Sequence, residues 1–263
     1  MNQSATITAL YRYPLKGFTA EPLEIAELQA GGAFAFDRAF AIENGPSGFD
    51  PAAPSYLPKI RFLMLMRHEH VALLSSRFDP QTGILTIAKS GRERVAANLF
   101  EEAGRTVIEN WIEEEFAGEL RGRPRILSAE GHSFPDKKQK VLHLINLASI
   151  RALEEKLACS LDPMRFRANI IVDGIPPFAE FEWVGKTLRL PHITLTGEDR
   201  TERCAATNVD PRTGARDMSL PRQLMGLYGH TDFGIYLKAE SAGRIATGDV
   251  MVPVATESPG STS

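Results

Sequence analysis

Residues 199–214, with the sequence DRTERCAATNVDPRTG, hold Cys204, one of only two cysteines in the chain. Arg200, Arg203 and Arg212 surround this thiol in the sequence. The thiolate form of cysteine binds metal ions and attacks electrophiles, and neighbouring cations favour that form. A free cysteine is more often a small, buried apolar residue. The residues alone therefore leave a chemical role and a packing role open for Cys204.

Two basic side chains in the first half of the chain are candidates for an anion site. Lys16 follows a predicted strand and precedes Gly17. Arg38 lies in a predicted strand that follows a Gly-Gly turn at positions 31–32. Cations of this kind bind phosphate and carboxylate groups, although each could equally be ordinary surface charge.

The second half of the chain adds further candidates. Arg165 and Arg167 alternate with Phe166 in the run RFRAN, which ends at Asn169, two residues after Arg167. A strand would therefore present both guanidinium groups on one face, as a clamp for an anion. Ser149 lies near a predicted helix N-terminus, where free backbone N–H groups could receive a phosphate or simply be capped by a neighbouring side chain.

Composition limits the classes of function. The 263 residues carry a formal net charge of −3 and no basic, aromatic-rich patch, which argues against nucleic-acid binding. Two cysteines are too few for an iron–sulfur cluster ligated only by cysteine, so electrons for any redox chemistry would come from elsewhere. No apolar run could cross a bilayer and no signal peptide is evident, which predicts a cytoplasmic protein that does not interact with membranes.

The elements that must position these residues are mainly short strands. Alternating apolar residues predict a strand at 6–13, and helical spacing predicts helices at 98–118 and after Asn146. FGIYLKAE and RIATGDVMVP are expected to form a closing hairpin. The run ENGPSGFDPAAPSYLPK, residues 43–59, is a long loop that could be a lid or a plain surface excursion.

A short sequence repeat predicts the structure at the end of the 199–214 segment. DPQTG at 79–83 recurs as DPRTG at 210–214, and these residue types build hairpin turns. We therefore expect 210–214 to be a turn. Many short strands without regular βα alternation predict an α+β fold, most simply a mixed β-barrel with a few helices.

Several motifs together resemble the MOSC proteins, named for the C-terminal domain of molybdenum-cofactor sulfurases. They are YRYPLKG, FDRAFAI, RFRANIIVDG, RCAATNVDPRTG and FGIYLKAE with GRIATGDVM. Their order resembles the version with an N-terminal β-barrel segment. The resemblance implies a first region at 1–122, a MOSC domain at 123–254 and a disordered tail at 255–263. It covers nearly the whole chain.

The resemblance to the molybdenum-binding reductase branch also implies a site. The Cys of the RC motif, here Cys204, would ligate the molybdenum of a molybdopterin cofactor. The pterin and its phosphate would lie among Lys16, Arg38, Ser149, Arg167 and Asn169. The implied activity is reduction of an N- or S-oxygenated small molecule by oxygen-atom transfer, with electrons from a separate donor protein.

Two other functions remain open from the sequence. Cys204 could carry a persulfide received from a cysteine desulfurase and act as a sulfur carrier. Alternatively, the chain could be a non-catalytic MOSC-fold module that binds an anionic ligand. Two departures motivate this last interpretation: Gly17 stands where the reductases have Ser, and Glu202 adds negative charge beside Cys204.

Overall fold

A computed structural model describes residues 4–254 of the protein. Three α-helices are present in this range: α1 (Glu102–Glu115), α2 (Leu147–Leu157) and α3 (Leu220–Tyr228). The strands are β1 (Ala5–Arg12), β2 (Glu21–Leu23), β3 (Ile25–Leu28), β4 (Ala41–Asn44), β5 (Leu74–Phe78), β6 (Ile84–Lys89), β7 (Arg92–Asn98), β8 (Pro124–Leu127), β9 (Leu142–Asn146), β10 (Ile170–Asp173), β11 (Thr187–Arg189), β12 (Thr194–Glu202), β13 (Asp232–Ala239), β14 (Gly243–Ala246) and β15 (Val250–Val254). The expected tail at 255–263 lies outside the described residues.

Seven strands close into a mixed β-barrel, as the sequence predicts. Their order around the barrel is β1, β10, β9, β13, β12, β11 and β15, and β15 pairs back with β1. The β9–β10 pair is parallel, and the other pairs in the barrel are antiparallel. β2 continues the sheet outside the closed ring by pairing with β1.

The first strand joins the barrel to the beginning of the chain. Ile7 on β1 pairs with Val172 on β10, and Ala5 pairs with Met251 on β15. Ala5 and Ile7 are each 1% exposed, so the alternation in the sequence places these side chains in the barrel core. A strand from the first region predicted in the sequence therefore completes the barrel.

A second core lies between the hairpin sheet β5–β6–β7 and helix α1. Ile108 and Ile112 on α1 are fully buried against this sheet. The predicted helix at 98–118 is present but shorter, because β7 runs through Asn98 and ends there. Glu101, rather than Asn98, is the residue that precedes the first helical turn.

The predicted closing hairpin is wrong. β13 pairs with β9 and β12, β14 pairs with β3, and β15 pairs with β11 and β1. The residues concerned do form strands, but each strand finds its partners elsewhere in the fold. Local alternation predicts that a strand exists, whereas its pairing depends on distant segments.

The two similar turns are confirmed. At each turn the Asp side chain accepts hydrogen bonds from later turn residues, and the closing Gly donates its N–H to the Asp carbonyl oxygen: Gly83 to Asp79 at 2.8 Å and Gly214 to Asp210 at 2.9 Å. Both glycines have positive φ, 74° and 69°. Within residues 4–254, no helix has the length and apolar character required to cross a membrane.

Candidate active site

Cys204 stands immediately beyond the end of a long barrel strand. β12 extends through residues 200–202, a segment expected to be irregular, with shifts in its pairing to β13. Cys204 then precedes a short 3₁₀ helix and accepts hydrogen bonds at its carbonyl oxygen from the N–H and hydroxyl of Thr207, at 3.1 and 2.9 Å. The backbone at Cys204 is thereby fixed, while its side chain remains partly accessible.

Two cavities meet at this cysteine. The inner cavity has a volume of about 110 Å³ and the outer cavity a volume of about 530 Å³. Six residues line both: Lys59, Asp136, Lys137, Arg203, Cys204 and Tyr236. Cys204 therefore lies at the junction of the two cavities.

The inner cavity is strongly cationic. Lys16, Arg38 and Arg167 line it together with Lys59, Lys137 and Arg203, which it shares with the outer cavity. Among the described residues, Asp136 is the one carboxylate in its wall. This excess of positive charge suits an anionic ligand.

Arg38 and Arg167 both stack on Tyr13. The two guanidinium carbons lie 4.7 and 4.4 Å from the centre of the ring. Both arginines adopt left-handed backbone conformations, with φ of 53° and 52°. The Tyr13 hydroxyl donates to the carbonyl oxygen of Ala168 at 3.1 Å, and burial raises the pKa of Tyr13 to about 12. The phenol therefore stays neutral, and its ring attracts both cations.

Asn169 connects Arg38 to the barrel. Its side-chain oxygen accepts from Arg38 at 3.3 Å and from the backbone N–H of His143 at 3.2 Å, and its amide donates to the carbonyl oxygen of Tyr11 at 3.0 Å. Asp37 forms an ion pair with Arg38. The guanidinium of Arg38 is thereby held at the cavity wall.

Lys16 is buried but well partnered. Its ammonium donates to the carbonyl oxygen of Phe134 at 2.9 Å and to the carboxylate of Asp136 at 2.5 Å. Burial lowers the pKa of Lys16, and Asp136 partly opposes that effect. Burial alone would raise the pKa of Asp136, but Lys16 and the neighbouring cations outweigh it and lower that pKa.

Five of the six predicted site residues line the inner cavity: Lys16, Arg38, Arg167, Asn169 and Cys204. Ser149 does not. Its buried hydroxyl donates to the carboxylate of Glu180 at 2.8 Å, because the start of α2 faces the segment around Glu180 rather than the cavity.

The expected strand clamp of Arg165 and Arg167 is also wrong. Residues Pro163–Phe166 form a 3₁₀ helix, and Arg167 adopts a left-handed backbone conformation at its end, so the strand alternation is absent. Arg165 is buried and pairs with Asp210 at 3.0 Å and Asp217 at 2.7 Å. Arg165 thus anchors the 210–214 turn, whereas Arg167 faces the cavity.

Sequence reasoning missed five polar or charged residues of the cavity wall: Lys59, Asp136, Lys137, His143 and Tyr236. Lys59 ends the long 43–59 loop, whose proline-rich composition marked it as irregular without indicating a site. Burial and the adjacent Arg203 guanidinium lower the pKa of His143 well below its usual value, so its imidazole is neutral. Fold geometry, rather than a local motif, brings these side chains together.

The barrel, with a thiol at the edge of a cationic cavity, is the architecture of a MOSC protein. A family model described as the MOSC N-terminal beta barrel domain matches residues 4–119, and one described as the MOSC domain matches residues 129–252. The chain belongs to the MOSC family, in the form that carries the N-terminal beta barrel domain.

Two curated relatives align with most of the chain. Molybdenum cofactor sulfurase of Caenorhabditis elegans is 26% identical over 249 residues, covering 89% of this chain and 33% of the sulfurase. Mitochondrial amidoxime-reducing component 1 of Homo sapiens is 24% identical over 287 residues, covering 95% of this chain and 83% of the human protein. The chain thus spans about a third of the sulfurase and most of the human protein.

Among solved structures, the YUAD protein from Bacillus subtilis is 13% identical, with a TM-score of 0.44 and 94% coverage of each chain.

The donor set fits a molybdopterin cofactor. Within residues 4–254, no group of three or more His, Cys, Asp or Glu side chains could hold a metal ion. A metal at Cys204 would therefore need ligands supplied by its own cofactor, as a dithiolene supplies them. The Cys204 sulfur is a soft donor suited to such a centre. The buried Arg203 Nε atom, which lacks a hydrogen-bond partner, adds a free donor in the wall.

Proposed function

We propose that this protein is a molybdenum-cofactor-binding oxidoreductase that reduces N- or S-oxygenated small molecules, with Cys204 as the protein ligand to molybdenum. One observation carries the proposal: Cys204 lies where the cationic inner cavity meets the outer cavity. The inner cavity has the charge for an anionic cofactor, and the outer cavity gives a small molecule access to the same sulfur. The relative named as an amidoxime-reducing component supports this class of substrate.

The residues of the inner cavity would hold the cofactor. Lys16, Arg38 and Arg167 supply positive charge for its phosphate, while Asn169 holds Arg38 in place. Arg203 is anchored by a 2.8 Å hydrogen bond to the carbonyl oxygen of Phe166 and lies beside Cys204 in the chain. When bound, the cofactor supplies oxygen-atom transfer chemistry.

Electrons would come from a separate donor protein. Cys159 is exposed and lines neither cavity, so the chain's second thiol does not contribute to the site. Two cysteines do not make a cysteine-ligated iron–sulfur cluster. The outer cavity would admit the substrate, and the buried barrel core behind the inner cavity would exclude water from that side.

Metal and pterin analysis tests the proposal. The full chain, Cys204→Ala and the matched control Cys159→Ala are purified from a host that makes the cofactor. We expect wild type and Cys159→Ala to contain molybdenum and pterin in near-equal amounts, and Cys204→Ala to lose most of its molybdenum. Wild-type protein without molybdenum, or Cys204→Ala with the wild-type content, would contradict the proposal.

The same preparations test the two alternatives. Incubation with a cysteine desulfurase and cysteine, followed by mass spectrometry, would detect an added sulfur on Cys204 if the protein is a sulfur carrier. Binding of an anionic ligand with equal affinity by wild type and Cys204→Ala, without molybdenum in either, would instead favour a non-catalytic module.

A further inference from the structure

Lys59 is fixed at the junction of the two cavities. It begins the short 3₁₀ helix Lys59–Arg61, directly after the long loop that contains Pro58. The next residue after this helix, Phe62, is 1% exposed in the core, and its N–H donates to the carbonyl oxygen of Lys59 at 3.1 Å. The Lys59 backbone is therefore anchored three residues from the core, although its side chain lies at the end of an exposed loop.

Three described cations line both cavities: Lys59, Lys137 and Arg203. Lys137 pairs with Asp199, and Arg203 donates to the carbonyl oxygen of Phe166. Across residues 4–254, the Lys59 ammonium has no hydrogen bond to an oxygen atom.

Lys59 carries a positive charge at neutral pH, as lysine side chains ordinarily do. Its side chain lines both cavities. An ammonium group in a partly enclosed site stabilises negative charge more strongly than one in open water. Lys59 thus presents a cation to the space next to Cys204.

Building on the function proposed above, we propose that Lys59 binds the oxygen atom of the substrate and favours substrates whose oxygen carries negative charge. N-oxides and sulfoxides have such an oxygen, whereas the hydroxyl of an amidoxime or a hydroxylamine is neutral. The proposal places the substrate oxygen on the outer-cavity side of Cys204, next to Lys59. Among the three described cations that line both cavities, Lys59 is the one without an oxygen partner.

A matched pair of small molecules tests the effect of negative charge on the substrate oxygen. Trimethylamine N-oxide and tert-butanol have similar shapes, but the N-oxide oxygen is negative and the alcohol oxygen is neutral. Saturation-transfer NMR on the full chain, without an electron donor, measures the affinity for each. We expect wild type to prefer the N-oxide by about tenfold, the size expected for one charged hydrogen bond.

Three variants complete the test. Lys59→Met should abolish the preference for the N-oxide, and Lys59→Arg should retain most of it. Lys138→Met, at an exposed position that lines neither cavity, is the matched control and should behave like wild type. Equal affinity of wild type for both probes, or a preserved preference in Lys59→Met, would overturn the inference.

Steady-state kinetics with a chemical reductant distinguish a failure of the Lys59 proposal from a failure of the proposed function. With molybdenum content unchanged, Lys59→Met should lower kcat/KM for trimethylamine N-oxide by about tenfold and that for benzamidoxime by about threefold or less. Wild type lacking molybdenum would defeat the proposed function, whereas an active Lys59→Met enzyme with wild-type kcat/KM for both substrates would defeat only the role of Lys59.

Discussion

The Lys16 ammonium lies 2.5 Å from the carboxylate of Asp136 in the wall of the inner cavity. Asp136 is also close enough to Arg38 and Lys59 for each to lower its pKa. A carboxylate of the protein itself therefore stands where the cations of the cavity converge. An anionic ligand that approaches Lys16 must compete with this side chain.

We expect Asp136→Asn to bind inorganic phosphate more tightly than wild type when neither contains cofactor. Loss of the ion pair frees Lys16, and a gain of about 1 kcal/mol, or about fivefold in affinity, matches the usual strength of a partly exposed pair. Isothermal titration calorimetry gives the affinity. Asp50→Asn is the control, because Asp50 is exposed and lines neither cavity. Weaker phosphate binding by Asp136→Asn would show that the carboxylate assists ligands rather than competing with them.

Substitutions of Tyr13 should separate its ring from its hydroxyl. Tyr13→Phe keeps the surface on which Arg38 and Arg167 stack but loses the hydrogen bond to Ala168. We expect a loss of about 1–2 kcal/mol in the free energy of unfolding and retention of molybdenum. Tyr13→Leu also removes the ring and should lose molybdenum as well as stability. Urea unfolding and metal analysis measure the two effects, and equal molybdenum contents in both variants would contradict this role of the ring.

Glu180 should make stability depend on pH. Burial raises its pKa to about 7, while hydrogen bonds from Ser149 and Asn146 act in the opposite direction. The folded state therefore holds the proton more tightly than the unfolded state, whose carboxyl has a pKa near 4.5. The free energy of unfolding should consequently fall as pH rises from about 4.5 through about 7, by on the order of 3 kcal/mol.

Urea unfolding at several pH values tests this sign. Glu180→Gln resembles the protonated carboxyl group and should remove most of the decrease, so that it is more stable than wild type at pH above about 7. Glu182→Gln is a control at an exposed position on the same 3₁₀ helix. Identical pH profiles for wild type and Glu180→Gln would refute the prediction.

Gly17 is required by its backbone conformation. Its φ is +90°, and a Cβ atom added there would lie 3.2 Å from the carbonyl oxygen of Leu63. We expect Gly17→Ser to cost about 1–2 kcal/mol in the free energy of unfolding. Gly226→Ala, in the open interior of α3, is the comparison and should be neutral or stabilising. Thermal unfolding of both variants is the measurement, and a fully stable Gly17→Ser protein would be evidence against this explanation.

The residues that follow strands were the most predictable part of the site. Lys16 and Cys204 each follow a segment with recognisable strand character, and Asn146 accepts the expected cap hydrogen bond from Ala148 at 3.0 Å. The backbone turns at Arg38 and Arg167 were not predictable, because left-handed conformations at arginine have no local signal. The sequence therefore predicted a strand at both Arg38 and Arg167.

Ser149 illustrates the other kind of error. A helix N-terminus with a hydroxyl is a reasonable phosphate site, yet what it faces depends on which segment packs across it. Here that segment carries Glu180, whose buried carboxylate accepts a hydrogen bond from the Ser149 hydroxyl. Lys59 is an example of a site residue that the sequence did not indicate. No motif marks this lysine, but the fold places the end of its loop next to Cys204 in the cavity wall.

The position of β1 has a consequence for how the barrel assembles. β1 pairs with β10 and with β15, both of which lie far from it in the sequence, so the ring closes only when distant segments come together. Contacts so distant in sequence slow folding. A fragment of residues 123–254 produced alone would leave the edges of β10 and β15 without their shared neighbour, and exposed edges of this kind promote aggregation.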